Sequence, residues 1–177
     1  SQLDNIHGAI ASDCPHRERS PYTGDGQVAC VTVMHNFDAQ TFYNKWLRDI
    51  RGSQTYGGYV PNSAPWQPGC GGGVGWGAAM EIMPWEFYQH YGDRRVLEQN
   101  FNAMRRHVRW MTTWVDDKTG LMLSHDEQRW KNLGDWLPPR ELPRAELVHT
   151  YFLWQCADIT VRTAHSLGED ASEFIAI

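Results

Sequence analysis

Thirteen residues, Asp13-Cys14-Pro15-His16-Arg17-Glu18-Arg19-Ser20-Pro21-Tyr22-Thr23-Gly24-Asp25, carry three carboxyls, two guanidiniums and a phenol. Two prolines keep the stretch out of regular helix, and loops held by a rigid scaffold are where reactive groups concentrate. A carboxyl between two arginines, followed by a second carboxylate and an aromatic ring, has the parts to protonate a leaving group while gripping a polyhydroxylated ring. Inverting cleavage of a glycoside needs one protonated carboxyl at the glycosidic oxygen and one carboxylate about 6.5–9.5 Å away to activate water. Glu18 is the candidate acid. Arg17 and Arg19 favour its charged form, so like charge from Asp13 and Asp25, together with desolvation, must dominate if it is to act as one. The spacing alone equally suits an ion-pair network of Arg17, Glu18 and Arg19 pinning the loop, with Asp13 and Asp25 as caps.

Other candidates lie further along. Asp135 stands between Gly134 and Trp136, where close approach and a flat ring are both available, whereas Trp76 reads as the start of a helical stripe with Met80, Met83 and Phe87. Nine tryptophans exceed what a core of this size needs, and as a set they point to a lined cleft. Asp116, Asp117, Asp126 and Glu127 read as solvated charge. His16, His35, His125 and His149 are isolated and no H-E-x-x-H pattern occurs, so no metal is expected. Gly71-Gly72-Gly73-Val74-Gly75 lacks the Lys-Ser/Thr that completes a nucleotide loop, and no cofactor is expected.

The elements that must position these groups read as helices. The period predicts a short first segment over Leu3–Ala11, then helices over Gly26–His35 (stripe Gln27, Cys30, Val31, Met34, with a strand from Val31 as alternative) and Ala39–Arg51 (Phe42, Trp46, Ile50, capped by Asp38). Gly52–Gly73 is a long loop with Tyr56, Tyr59 and Trp66, of a length that is usually functional. Helices follow over Gly75–Tyr91, bent at Pro84; over Arg94–Val115, expected to be the longest; and over Glu146–Leu167, carried by Tyr151, Trp154, Cys156 and Val161. Gly92-Asp93 turns the chain, Gly168 stops the last long helix, and Ser172–Ile177 begins another amphipathic turn.

Composition narrows the partners. A net charge of -5 without a basic run argues against nucleic acid, and no apolar run approaches a membrane span. Cys14, Cys30, Cys70 and Cys156 show no C-x-x-C spacing and read as reduced packing residues. Neither a basic start nor an apolar export segment is visible, which leaves localisation open.

The stretch Asp13 to Arg19, followed by Tyr22-Thr23-Gly24-Asp25, resembles the catalytic-loop motif of the α-L-rhamnosidases of glycoside hydrolase family 78. Lys45-Trp46-Leu47-Arg48-Asp49, Gly58-Tyr59-Val60-Pro61, Gly75-Trp76-Gly77, Pro84-Trp85, Tyr91-Gly92-Asp93 and Gly134-Asp135-Trp136-Leu137 extend the likeness over essentially the whole chain. Tyr22 stands where that family usually has tryptophan, and Ala78 where it often has Asp or Ser. The resemblance implies an all-α, (α/α)6 toroid of which residues 1–177 form the N-terminal half, without a second domain. It implies removal of terminal α-L-rhamnose from glycosides with inversion and without a metal. Glu18 would be the general acid; Asp13, Arg17, Tyr22, Asp25, Trp76, Asp135 and Trp136 would hold the sugar. The general base is expected beyond residue 177, so the remainder of a parent chain would be required.

Overall fold

The computed structural model describes residues 2–6, 11–14, 16–67, 73–123, 134, 139–141 and 143–177. In chain order the α-helices are α1 (Gln2–Asn5), α2 (Thr23–Asn36), α3 (Gln40–Ser53), α4 (Val74–Gly77), α5 (Ala79–Tyr91), α6 (Arg95–Thr112) and α7 (Ala145–Leu167), followed by a 3-10 turn over Ser172–Phe174. Among the described residues the strand-like pairings are two isolated bridges, Tyr22 with Ser63 and Val115 with Met122. The expected all-α class is what the chain adopts, and the alternative of a strand from Val31 is excluded.

Pro21 and the extended Tyr22 set the chain so that Thr23-Gly24-Asp25 winds into the first turn of α2. The helix therefore starts three residues before the expected Gly26. Its buried face is Thr23, Gly26, Cys30, Val33 and Met34. Gln27 and Val31 were expected on that face, but Val31 is 39% exposed. The phase is set by Gly26, where a Cβ would fall 2.0 Å from Cη2 of the buried Trp46. Close approach at a glycine, not the largest apolar side chains, decides which face turns inward. In α3 the inner face is Tyr43, Trp46, Leu47 and Ile50, with Phe42 half-buried. Asp38 does not cap this helix: Ala39 occupies the cap position, and Asp38 accepts instead from the Gln40 side chain at 3.3 Å.

The single helix expected over Gly75–Tyr91 is two, broken at Ala78, while Pro84 sits inside α5. Gly92 closes α5 with φ 69°, as a left-handed cap should, and Gly168 closes α7 with φ 72°. The longest helix is α7 with 23 residues, ahead of α6 with 18, the reverse of the expected order. Its inner face is also displaced: Leu153, Cys156, Ala157 and Ala164 are buried, while Tyr151 and Trp154 are 53% and 54% exposed.

Helix α5 lies at the centre, packed by α2, α3, α6 and α7. On one side Tyr43, Trp46, Met80, Met83, Phe87, Leu97 and Met104 form a continuous core. On the other, Val108, Met111, Met122, Leu153, Cys156 and Phe174 join α6 to α7 and the 3-10 turn. Each such side chain contributes about 1.5–3 kcal/mol on burial. Cys14, Cys30 and Cys156 are free thiols, whereas Cys70 lies outside the described residues. Among the described residues no helix is long and apolar enough to cross a membrane.

Candidate active site

The loop from Asp13 to Ser20 is closed by its own hydrogen bonds. Asp13 N–H donates to the Ser20 carbonyl at 3.0 Å, and Ser20 N–H donates to Asp13 Oδ1 at 2.8 Å. Asp13 Oδ2 accepts from the Cys14 thiol at 3.1 Å, and the same sulfur accepts the Glu18 N–H at 3.1 Å. Asp13 thus holds the loop through both oxygens, each keeping a further lone pair for a ligand hydroxyl. Arg19 completes the turn with φ 54°, a conformation that costs a residue with a Cβ about 1–3 kcal/mol and persists where the surroundings over-determine it.

His16, Arg17, Glu18 and Arg19 are exposed at the tip of this loop. Among the described residues none of Arg17, Glu18 and Arg19 enters a salt bridge, so the loop is not pinned by the ion-pair network that the spacing also allowed. Asp25 sits in the first turn of α2, and partial removal of its carboxyl from water pushes its pKa up. A backbone hydrogen bond opposes that shift, while the charges of Asp13 and Glu18 add to it. The three carboxyls of the motif therefore share one electrostatic neighbourhood.

A second segment and a second helix end fasten that neighbourhood. Ala64 N–H donates to the Pro21 carbonyl at 3.1 Å, and Thr23 N–H donates to the Asn62 carbonyl at 2.7 Å, on either side of the Tyr22–Ser63 bridge. Thr23 Oγ1 donates to the Trp76 carbonyl at 2.9 Å, with the Pro61 carbonyl at 3.4 Å. These bonds bring the half-buried Trp76 against α2, where a Cβ on Gly24 would stand 2.7 Å from its Cδ1 and 2.8 Å from its Nε1. The loop after α3 earns its length as scaffolding, with Tyr59 packed on Trp110 at 5.1 Å between ring centroids. Tyr56 and Trp66 stand exposed.

Asp13, Glu18, Tyr22, Asp25 and Trp76 are thus brought to one region, and Arg17 lies on the same loop. Asp135 and Trp136, with Asp126 and Glu127, lie outside the described residues. Asp116 accepts from the Thr119 N–H at 2.9 Å and hydroxyl at 2.8 Å, the part of a turn former.

One constellation was not foreseen. Glu81 of α5, His107 of α6 and Cys156 of α7 are fully buried, their candidate ligand atoms within 4.8 Å of one another. Both Glu81 oxygens lie 3.0 Å from His107 Nδ1, and the Cys156 thiol bonds the same carboxyl. Burial pushes the Glu81 pKa up against the opposing pull of His107 and Cys156, and it pushes the Cys156 thiol well up. The cluster is a buried hydrogen-bond network. Its signal in the sequence is a carboxylate inside the apolar run Ala79-Met80-Glu81-Ile82-Met83 and an imidazole on the Met104, Val108, Met111 face.

The model of the bacterial α-L-rhamnosidase six-hairpin glycosidase domain matches residues 1–176. The chain is 33% identical over 168 residues to an α-L-rhamnosidase of Streptomyces avermitilis, covering 94% of this chain and 16% of that protein. The crystal structure of the Streptomyces avermitilis α-L-rhamnosidase complexed with L-rhamnose superposes with a TM-score of 0.78 at 30% identity, covering 98% of this chain and 17% of that one. The α-L-rhamnosidase from Dictyoglumus thermophilum gives a TM-score of 0.82 at 29% identity, covering 98% and 20%. The chain therefore spans about a fifth or less of the length of these relatives, and its helices match about half of an α/α toroid.

Proposed function

The chain belongs to the family of bacterial α-L-rhamnosidase six-hairpin glycosidase domains, a family of glycoside hydrolases, and from that premise we propose that it carries the acid half of a site that removes terminal α-L-rhamnose with inversion. The observation that carries this reading is the placement of Glu18, exposed and without a salt bridge among the described residues, on a loop closed over Asp13 and sharing an electrostatic neighbourhood with Asp25. Glu18 gives its proton to the glycosidic oxygen as the bond to the anomeric carbon breaks. Water enters from the opposite face and loses its proton to a second carboxylate, which we place in the chain beyond residue 177. Asp13 and Asp25 bind ring hydroxyls, Tyr22 and Trp76 offer flat faces, and Arg17, Asp135 and Trp136 complete the subsite.

The test is Glu18→Gln in the full-length protein. Turnover of glycosides with poor leaving groups should fall about 10²- to 10⁴-fold. A pre-activated aryl rhamnoside, which needs little proton assistance, should suffer far less, and equal losses on both substrates would sink the assignment. A purely sugar-binding module would be favoured by a Glu18 buried in a salt bridge, the opposite of its observed setting. Because the base is placed elsewhere, the 177 residues alone should show no turnover beside the full-length protein, and near-parental activity would contradict that placement.

A further inference from the structure

The turn Gly75-Trp76-Gly77 is held from the site side by Thr23 and Gly24 of α2. From the core side it rests on the buried network. A Cβ on Gly77 would stand 3.1 Å from Nε2 and 3.3 Å from Cε1 of His107, and 3.0 Å from the Val60 carbonyl oxygen. The His107 ring thus lies under the crossing of α4 with segment 58–64, the same segment whose Pro61, Asn62 and Ser63 fasten the start of α2. Its other edge is fixed by Glu81, with both oxygens 3.0 Å from Nδ1, and its face is covered by Trp110, stacked at 5.9 Å and 7°. The ring is thus contacted at both edges and stacked on one face.

We propose that His107 and Glu81 are positioning residues for the sugar subsite: the buried pair sets the height and tilt of the Gly75–Gly77 turn and, through it, of the Trp76 indole. His107 Nε2 has no hydrogen-bond partner among the described residues, so the ring meets the turn by shape while its fixed Nδ1 carries the anchor. A buried hydrogen-bonded pair is directional in a way that apolar packing is not, and without Glu81 the His107 ring would be buried with neither nitrogen bonded among the described residues. Glu81 and His107 lie on different helices, so the bond also fixes the register of α5 against α6 beneath the turn.

The inference rests on Trp76 serving the subsite, and the experiment separates the two. In the full-length protein, L-rhamnose affinity, KM, kcat and Tm are measured for Trp76→Ala, His107→Gln, Gly77→Ala and the core control Met83→Ala. A displacement of a fraction of an ångström at Trp76 should weaken rhamnose binding and raise KM by roughly three- to tenfold in His107→Gln and Gly77→Ala, with a smaller change in kcat. Met83→Ala should lower Tm without moving KM. Gly77→Ala leaves every polar partner in place, so it stands as the second variant if His107→Gln fails to fold. Weaker binding in Trp76→Ala with parental affinity in both Gly77→Ala and His107→Gln would overturn the positioning role and leave the proposed function standing. Unchanged affinity in Trp76→Ala would overturn the subsite reading of that residue, and the positioning role with it.

Discussion

Gly24 offers a substitution whose effects on the site and on the fold should separate. A Cβ there would lie 2.7 Å from Trp76 Cδ1, 2.8 Å from Nε1 and 2.9 Å from Cγ. Carbons in contact sit about 3.5–4.0 Å apart, so Gly24→Ala forces a gap of about 1 Å to open. The Trp76 backbone cannot supply it, because its carbonyl is held by Thr23 Oγ1 at 2.9 Å. The indole is half-buried and turns away instead. A misplacement of about 1 Å costs up to roughly 10² in kcat/KM, here mostly through KM. Stability should fall less than in a fully buried clash, since alanine is favoured over glycine inside a helix by about 0.5–1 kcal/mol, which offsets part of the push on the half-buried ring. Gly26→Ala, half a helical turn on, is the contrast. Its Cβ would meet Trp46 at 2.0 Å, and that ring is fully buried and tied to the Ala64 carbonyl at 2.7 Å. Overpacking there should cost about 1–3 kcal/mol or more. For a chain of this size that is a Tm loss of about 2–4 °C per kcal/mol. Thermal unfolding and rhamnose titration on both variants check the pair. Parental affinity in Gly24→Ala, or a Tm loss equal to that of Gly26→Ala, would refute the reasoning.

Three more expectations rest on charge. The Asp25 carboxyl is raised above its ordinary value of 3.8 chiefly by desolvation, so the native state holds that proton longer than the unfolded chain and stability falls as pH rises through the shifted value. Asp25→Asn should therefore raise Tm at pH 7, with the gain shrinking as pH falls towards 3.8, which unfolding scans at several pH values would show. The same variant should weaken rhamnose binding more than Tyr22→Phe does, because lost hydrogen bonds to a hydroxyl outweigh a small change at a ring; titration with unchanged affinity in Asp25→Asn would contradict its role. Arg109, with Arg105, holds the Glu173 carboxyl down at about 2 from its ordinary 4.5, an interaction whose stabilisation is complete above 4.5 and lost as pH falls through about 2. At this accessible position Glu173→Gln should cost under about 1 kcal/mol at pH 7, and the difference from the parent should vanish in acid.

What the sequence disclosed and what it withheld divide along a physical line. Helices α3 and α6 were legible because each sets apolar residues at helical spacing against a polar face, and the ends of α5 and α7 were marked at Gly92 and Gly168, where a left-handed residue closes the turn. The loop of Asp13, Glu18 and Asp25 stood out in the sequence because three carboxyls and two guanidiniums crowd into thirteen residues around Pro15 and Pro21, although the same spacing also suits an ion-pair network. The inward faces of α2 and α7 were not legible. Periodicity identifies a stripe by hydrophobic mass, and at Gly24, Gly26, Gly75 and Gly77 the decisive contacts are made by the absence of a side chain, which scores nothing. Val31, Tyr151 and Trp154 were thus drawn inward on paper while Gly26 and Ala157 turn inward in the fold. The same blindness hid His107 and Glu81, whose bond joins residues 26 positions apart on two helices and becomes visible only once α5 and α6 are laid together. Glycines that admit a tryptophan edge and a polar pair that fixes the turn beneath it are one arrangement. The close approach at Gly24 places Trp76 only if something behind Gly77 resists, and in this fold that resistance is the His107 ring held by Glu81.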